Sequence, residues 1–192
     1  MYLLRKELSE IRQKASLDPL TGLVNRGVFD EALTNAIADD PPGCRNVWLM
    51  MVDIDHFKEI NDLHGHLIGD RVLKYVAAIF KRMLKGKDIV ARYGGDEFAV
   101  ILDDTPKAGV LAIAENILRT VEKSALKRTD TNVLLEKITI SIGIASVMKN
   151  ESSERLIGRA DEALYHSKSS GRNRVNCFGD FLRNQPSPVQ MV

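Results

Sequence analysis

Two separated pairs of acidic residues carry the chemistry of this sequence. The segment Arg92-Tyr93-Gly94-Gly95-Asp96-Glu97-Phe98 sets two carboxylates directly after two glycines. Glycine has no Cβ, so its backbone can take positive φ and approach a ligand closely. A plain solvated turn has the same composition, because Asp and Gly are common turn residues. The second pair is more telling. Asp53 and Asp55, with Ile54 between them, end the mostly apolar run from Asn46 to Asp55. Side chains alternate along a strand, so both aspartates point to one side. Carboxylates there are costly to desolvate unless paired or bound to a cation. If this strand lies beside the glycine turn, Asp53 and Asp96 can converge on one hard cation such as Mg²⁺, with the Ile54 carbonyl completing the site. The plainer use for Asp53 is to cap the helix that follows.

A third segment runs from Asp55 through His56, Phe57, Lys58 and Asn61 to Gly65-His66 and Gly69-Asp70. Lys58 and Asn61 are neighbours on one helix face. A helix starting just past the acidic strand end offers free N–H groups to phosphate. Asn61 and Asp70 have the donors and acceptors needed to read a guanine edge. Asp70 suits guanine because it accepts hydrogens, whereas adenine presents an acceptor at N1. Taken singly, each is an ordinary surface polar residue. Near the C-terminus, Lys168 and Arg172 lie at a helix end, where cations favour the dipole or contact a triphosphate. The four histidines have no spacing or cysteine company that defines a zinc site.

These residues need a scaffold, and the apolar pattern supplies one. Asn25 caps a helix striped by Val28, Phe29, Ala32, Leu33, Ala36 and Ile37. The run 46–55 is a strand buried on both faces. After a short helical turn, Val72, Leu73, Val76, Ala77, Phe80, Met83 and Leu84 mark a helix. Apolar runs 89–93 and 98–102 flank the glycine turn as a β-hairpin. A helix from Pro106 to about Arg128, a β-branched strand over 138–147, a helix over 153–168 and a strand over 173–178 follow. The class is α/β (α+β), a single sheet covered by helices on one or both faces, with a split βαβ, ferredoxin-like pattern embedded in it.

The 192 residues suit one domain with short appendages: a connector helix over 1–17, a catalytic domain over 18–178 and a mobile tail over 179–192. Leu4, Leu8, Ile11 and Ala15 form a narrow seam fit for pairing with another helix or for packing on the domain itself. A formal net charge of +1 gives no electrostatic case for a nucleic-acid or membrane surface. No apolar run reaches membrane-spanning length and no signal peptide opens the chain, so a cytoplasmic location is expected. Cys44 and Cys177 read as reduced, passive thiols.

Together these segments resemble the GGDEF family of diguanylate cyclases, from about Asp18 to Phe178. The resemblance runs through Asp18–Arg26 (DPLTGLVNR), the strand and helix from Val52 to Asp62, the Gly-His and Gly-Asp pairs, the glycine turn, Ser141–Ala145 and the stretch Ala160–Val175. It implies a mostly antiparallel sheet like that of polymerase palms and nucleotide cyclases. It also implies condensation of two GTP into cyclic di-GMP by a homodimer, which can be transient, with one GTP per active site. By the same resemblance, Asp53, Asp96, Glu97 and the Ile54 carbonyl hold Mg²⁺, for which Mn²⁺ can substitute. Asp53, Asp96 and Glu97 form the catalytic set, with Glu97 either a metal ligand or the base for the 3′-hydroxyl. Phe57, Asn61 and Asp70 belong to the substrate site. Lys58, Lys168 and Arg172 contact phosphates, with Gly94 and Gly95 lying against them. An upstream sensory domain is the expected regulator. One departure stands out: the family's inhibitory RxxD motif is here Lys85-Gly86-Lys87-Asp88. Lysine lacks the planar fork of arginine, so product inhibition is expected to be weak or absent. The rival function is a non-catalytic module that binds GTP or cyclic di-GMP.

Overall fold

A computed structural model describes residues 16–38, 46–84, 86–123 and 137–180. Residues 1–15 of the expected connector helix, most of the tail, Cys44 and Lys85 lie outside these residues, while Leu17 forms a bridge to Val24. The described elements run β1 (Val24–Asn25), α1 (Arg26–Ala38), β2 (Trp48–Ile54), α2 (Phe57–His64), α3 (His66–Met83), β3 (Ile89–Arg92) and β4 (Glu97–Leu102). Then come α4 (Lys107–Glu122), β5 (Ile140–Ser146), α5 (Ser153–Ser169) and β6 (Val175–Cys177). They build one six-stranded sheet in the order β1-β3-β4-β2-β5-β6. The three central pairings are antiparallel and the two edge pairings parallel.

The long apolar run predicted as a doubly buried strand is β2, every residue of which is buried. It occupies the middle of the sheet, so both its faces need apolar side chains. Met50, Val52 and Ile54 face a core shared with Val72, Val76 and Phe80 of α3 and Val110 and Ile117 of α4. Leu49 and Met51 face the other core, with Phe29 and Leu33 of α1 and Leu156, Ala160 and Leu164 of α5. The sheet is therefore covered on both sides, and the side-chain alternation of one strand assigns each residue to its layer.

Helix boundaries follow local chemistry. Asn25 Oδ1 accepts from the Val28 N–H at 3.1 Å, the predicted cap of α1. The expected short turn after β2 is a full helix, α2, entered through His56 in the left-handed region at φ 57. Gly65, at φ 83, separates α2 from α3. The helix predicted from Pro106 starts one residue later, with Pro106 as its cap, and its described part runs to Glu122. Residues 124–128 lie outside the described part. The two-residue strand β1 carries no periodic pattern and was not predicted; it forms by pairing Val24 with Ala91 and Asn25 with Arg92. Among the described residues no helix is long and apolar enough to cross a membrane.

Candidate active site

The acidic strand end and the glycine turn do meet. β2 and β4 are antiparallel in a register that sets Asp53 opposite Glu97. The Ile54 N–H donates to the Asp96 carbonyl at 3.3 Å, which ties the turn to the strand end. Asp53 is 7% exposed. Its Oδ2 receives the Lys168 ammonium of α5 at 2.7 Å. An ion pair this short would ordinarily lower a carboxyl pKa, yet burial pushes Asp53 up to about 6. Lys168 pulls downward, and the nearby charges of Asp96 and Glu97 push upward. Desolvation and like charge outweigh the one cation.

Asp53 does not cap the following helix, since no side chain caps α2. The His56 side chain at the N-cap accepts no bond from the first turn of α2, and helix-start amides suit an anion. Asp55 lies on the same side of the sheet but serves another purpose. Its carboxylate accepts from the hydroxyls of Thr139 and Ser141.

The glycines of the turn act differently from the sequence expectation. Neither Gly94 nor Gly95 has positive φ. A Cβ on Gly94 would stand 2.5 Å from Glu97 Oε2, so the glycine admits a carboxylate of the protein itself. Gly95 faces open space. Arg92 braces this turn: its Nε and Nη2 donate to the Gly95 carbonyl at 3.2 and 2.7 Å. Its Nη1 meets Asp18 Oδ2 at 3.3 Å. Asp18 in turn accepts from the Thr21 N–H and hydroxyl at 2.8 and 2.6 Å.

Beside the turn opens a cleft of about 490 Å³ lined by Phe57, Lys58, Asn61, Asp70, Arg92, Gly95 and Asp96. Four of the predicted substrate residues from α2 and α3 thus face the same space as the acidic turn. Gly69 makes this possible. A Cβ there would fall 1.9 Å from Asn61 Oδ1 and 3.2 Å from Phe57 Cζ, so only glycine lets α3 seat against the Asn61 amide. Lys168 joins the site through Asp53 rather than by lining the cleft. Arg172 stands exposed in the turn after α5, with its backbone at φ 59.

Sequence reasoning named the segments holding Arg92, Gly69 and Asp161 but gave these three residues no role of their own. The Asp161 carboxyl is raised chiefly by burial and then by the Glu97 charge, while Lys168 and Arg26 pull it down. Asp161 and Lys168 are two helical turns apart on α5, a spacing that puts both on one face. That spacing was the available clue.

Among the described residues no three or more His, Cys, Asp or Glu side chains group as a ready metal cage. Mg²⁺ does not require one: it is held by one or two carboxylates, with waters and substrate phosphates filling the remaining positions. Asp53 and Asp96, with the Ile54 carbonyl, fit that pattern. Burial, with the charges of Asp96 and Glu97 added to it, lifts Asp53 to about 6, and a hard cation there would offset both.

A mostly antiparallel sheet with helices on both faces, acidic groups on adjacent central strands and a polar cleft beside them define a nucleotidyl-cyclase-like palm fold. Residues 15–174 match the family described as "Diguanylate cyclase, GGDEF domain", and the chain belongs to that family. It is 37% identical over 172 residues to diguanylate cyclase VdcA of Vibrio cholerae, covering 90% of this chain and 50% of that protein. It is 40% identical over 173 residues to the response regulator PleD of Caulobacter vibrioides, covering 90% of this chain and 38% of PleD. The chain thus spans half or less of the length of these relatives. Among solved structures, the coiled coil and GGDEF domain of DgcB from Caulobacter crescentus, in complex with c-di-GMP, superposes with a TM-score of 0.88 at 41% identity, covering 92% of each chain. The active GGEEF domain of a diguanylate cyclase from Vibrio cholerae superposes with a TM-score of 0.74 at 29% identity, covering 81% of this chain and 97% of that one.

Proposed function

We propose that this domain is a diguanylate cyclase that condenses two GTP molecules into cyclic di-GMP and releases two pyrophosphates. The observation that carries this reading is the register of β2 against β4, which sets Asp53 opposite Glu97 and ties Asp96 to Ile54, beside the cleft of Asn61 and Asp70. Each domain binds one GTP. Asn61 and Asp70 hold the guanine edge, with Phe57 lining the same cleft. Lys58 and the α2 amides take phosphate oxygens, and Lys168 and Arg172 draw negative charge from the leaving pyrophosphate. Asp53, Asp96 and the Ile54 carbonyl hold Mg²⁺, with Mn²⁺ an alternative. When bound with GTP, that cation polarises the α-phosphate and favours ionisation of the attacking 3′-hydroxyl. Glu97, folded under Gly94, either adds a ligand or accepts that proton.

One site holds one nucleotide, so the product requires two domains facing each other about a two-fold axis, each 3′-hydroxyl attacking the partner's α-phosphate. An upstream sensory domain would then control activity by raising the effective concentration of one domain around the other. A reaction that consumes GTP would suit the cytoplasm.

The test is incubation of the protein with GTP and Mg²⁺ over a range of protein concentrations, with products resolved by chromatography and mass, and Asp96→Ala as control. Cyclic di-GMP that forms with steep dependence on protein concentration and disappears in the variant supports the reading. GTP binding without product at any concentration overturns it. Added cyclic di-GMP should leave the rate nearly unchanged, because Lys85 stands where the inhibitory motif has arginine.

A further inference from the structure

Asp55 is a buried carboxylate, 4% exposed, that the reaction described above does not use. Its Oδ1 accepts from the Ser141 hydroxyl at 2.7 Å, and its Oδ2 from the Thr139 hydroxyl at 2.7 Å. Oδ2 also accepts the backbone N–H of Asn173 at 3.1 Å. The first two contacts orient the carboxylate from β5 and the residue before it. The third reaches a different element, the turn that follows α5.

That turn is unusual. Arg172 and Asn173 are consecutive non-glycine residues in the left-handed region, at φ 59 and 47. Such a pair persists only where its surroundings hold it. Three further bonds reinforce it. The Arg172 N–H donates to the Ser167 carbonyl at 3.0 Å, and the Asn173 amide to Glu122 Oε1 at 2.8 Å. Arg174 Nε donates to the Arg172 carbonyl at 3.0 Å. Among these, the Asp55 bond is the one that runs from the end of the strand carrying Asp53.

We propose that Asp55 is a positioning residue for the polyphosphate, holding the Arg172 turn at a fixed place relative to the Asp53 end of β2. Two neighbouring aspartates of one strand then divide the work. Asp53 takes charge directly, through Lys168 and the cation. Asp55 takes none, and instead anchors by neutral donors the backbone from which a second cation extends. The guanine end of the substrate, held by α2 and α3, is independent of this anchor. This inference rests on the reading of Arg172 as a triphosphate contact.

The test compares binding of 3′-deoxy-GTP, which cannot form the product bond, with binding of GMP, by titration calorimetry in Mg²⁺. Parent, Asp55→Asn, Arg172→Ala and the double variant are measured, with thermal midpoints recorded alongside. Asp55→Asn should weaken 3′-deoxy-GTP by about tenfold and leave GMP within about twofold. Added to Arg172→Ala it should cost nothing further, because the group it positions is gone. Equal losses for both nucleotides, or losses that add in the double variant, would overturn the positioning role and leave Arg172 as a phosphate contact. An Arg172→Ala variant with undiminished 3′-deoxy-GTP binding would instead overturn the Arg172 reading, and the inference with it. Should Asp55→Asn fail to fold, Thr139→Val removes one of the donors that orient the carboxylate. It should then weaken 3′-deoxy-GTP by about threefold and spare GMP, and equal losses there count against the inference in the same way.

Discussion

Lys168 on α5 reaches Asp53 at the end of β2, Nζ to Oδ2, at 2.7 Å. Two residues expected to serve separately, Asp53 the cation and Lys168 the phosphates, are thus one ion pair. The pair pulls the Asp53 carboxyl down against burial, which pushes it up with the charges of Asp96 and Glu97. Binding of a cation at Asp53 would release Lys168 toward the phosphates, so metal and nucleotide should load together.

Lys168→Met removes the downward pull on Asp53. Without a cation, its carboxyl should titrate higher than with Lys168 in place, where burial already pushes it up to about 6. Carbon-detected NMR of the side-chain carboxyl measures this directly, and an unchanged titration would mean that the pair does not persist in solution. Cyclase kcat/KM should fall on the order of 100-fold, the scale of a lost charge-assisted contact in a desolvated site.

Asp53 also makes stability depend on pH with a definite sign. Its folded value of about 6 lies above the ordinary 3.8. The stabilisation from keeping it neutral is therefore complete below 3.8 and lost as pH rises through about 6. Asp53→Asn cannot ionise. With chelator present, this variant should exceed the parent in stability at pH 8 by on the order of 1–3 kcal/mol, with the gap closing toward pH 4. Urea unfolding at the two pH values decides it, and a less stable variant at pH 8 would show that the Lys168 pair outweighs burial.

Arg92 holds the acidic turn from below, with two donors on the Gly95 carbonyl and a third on Asp18. Lysine can serve only one of these places. Arg92→Lys should lower kcat roughly tenfold through misplacement of the turn, with a smaller change in KM for GTP. Steady-state kinetics test this, and a kcat within twofold of the parent would dismiss the brace.

Two glycines of similar appearance should respond in opposite ways. A Cβ on Gly143 of β5 would stand 2.1 Å from the Leu164 nitrogen and 2.2 Å from the Ala160 carbonyl oxygen, both backbone atoms of α5. Neither can swing aside, so Gly143→Ala should cost more than about 3 kcal/mol. Gly158, inside α5, has nothing within 4 Å of its missing Cβ. Gly158→Ala should be neutral or stabilising by up to about 1 kcal/mol. Chemical denaturation of both variants makes the comparison.

Most of the scaffold was legible because its elements have strong periods. The stripe from Val72 to Phe80 could only be a helix with one buried face, and the unbroken run in β2 suited only a strand inside the sheet. The two-residue β1 was not legible, because its pairing comes from β3 and leaves no pattern of its own. The length of α2 was hidden as well, since its apolar residues are few and none is buried. At the site, the acidic pairs and the Lys58 to Asp70 segment were readable from residue type and spacing. The partners of Asp55 and Asp53 were not, since they come from β5, α5 and the turn after it, far along the chain.

The sequence by itself determined the family, the order of the elements and the kinds of group available for chemistry, because those rest on local spacing and residue type. Only the tertiary structure decided which carboxylate is poised and which is spent. Asp53 and Asp55 are both aspartates on one face of one strand, and nothing local separates them. One meets a lysine and two like charges, and the other meets two hydroxyls and an amide. The charge and hydrogen bonding of those distant neighbours, acting on two buried carboxyls, set the difference.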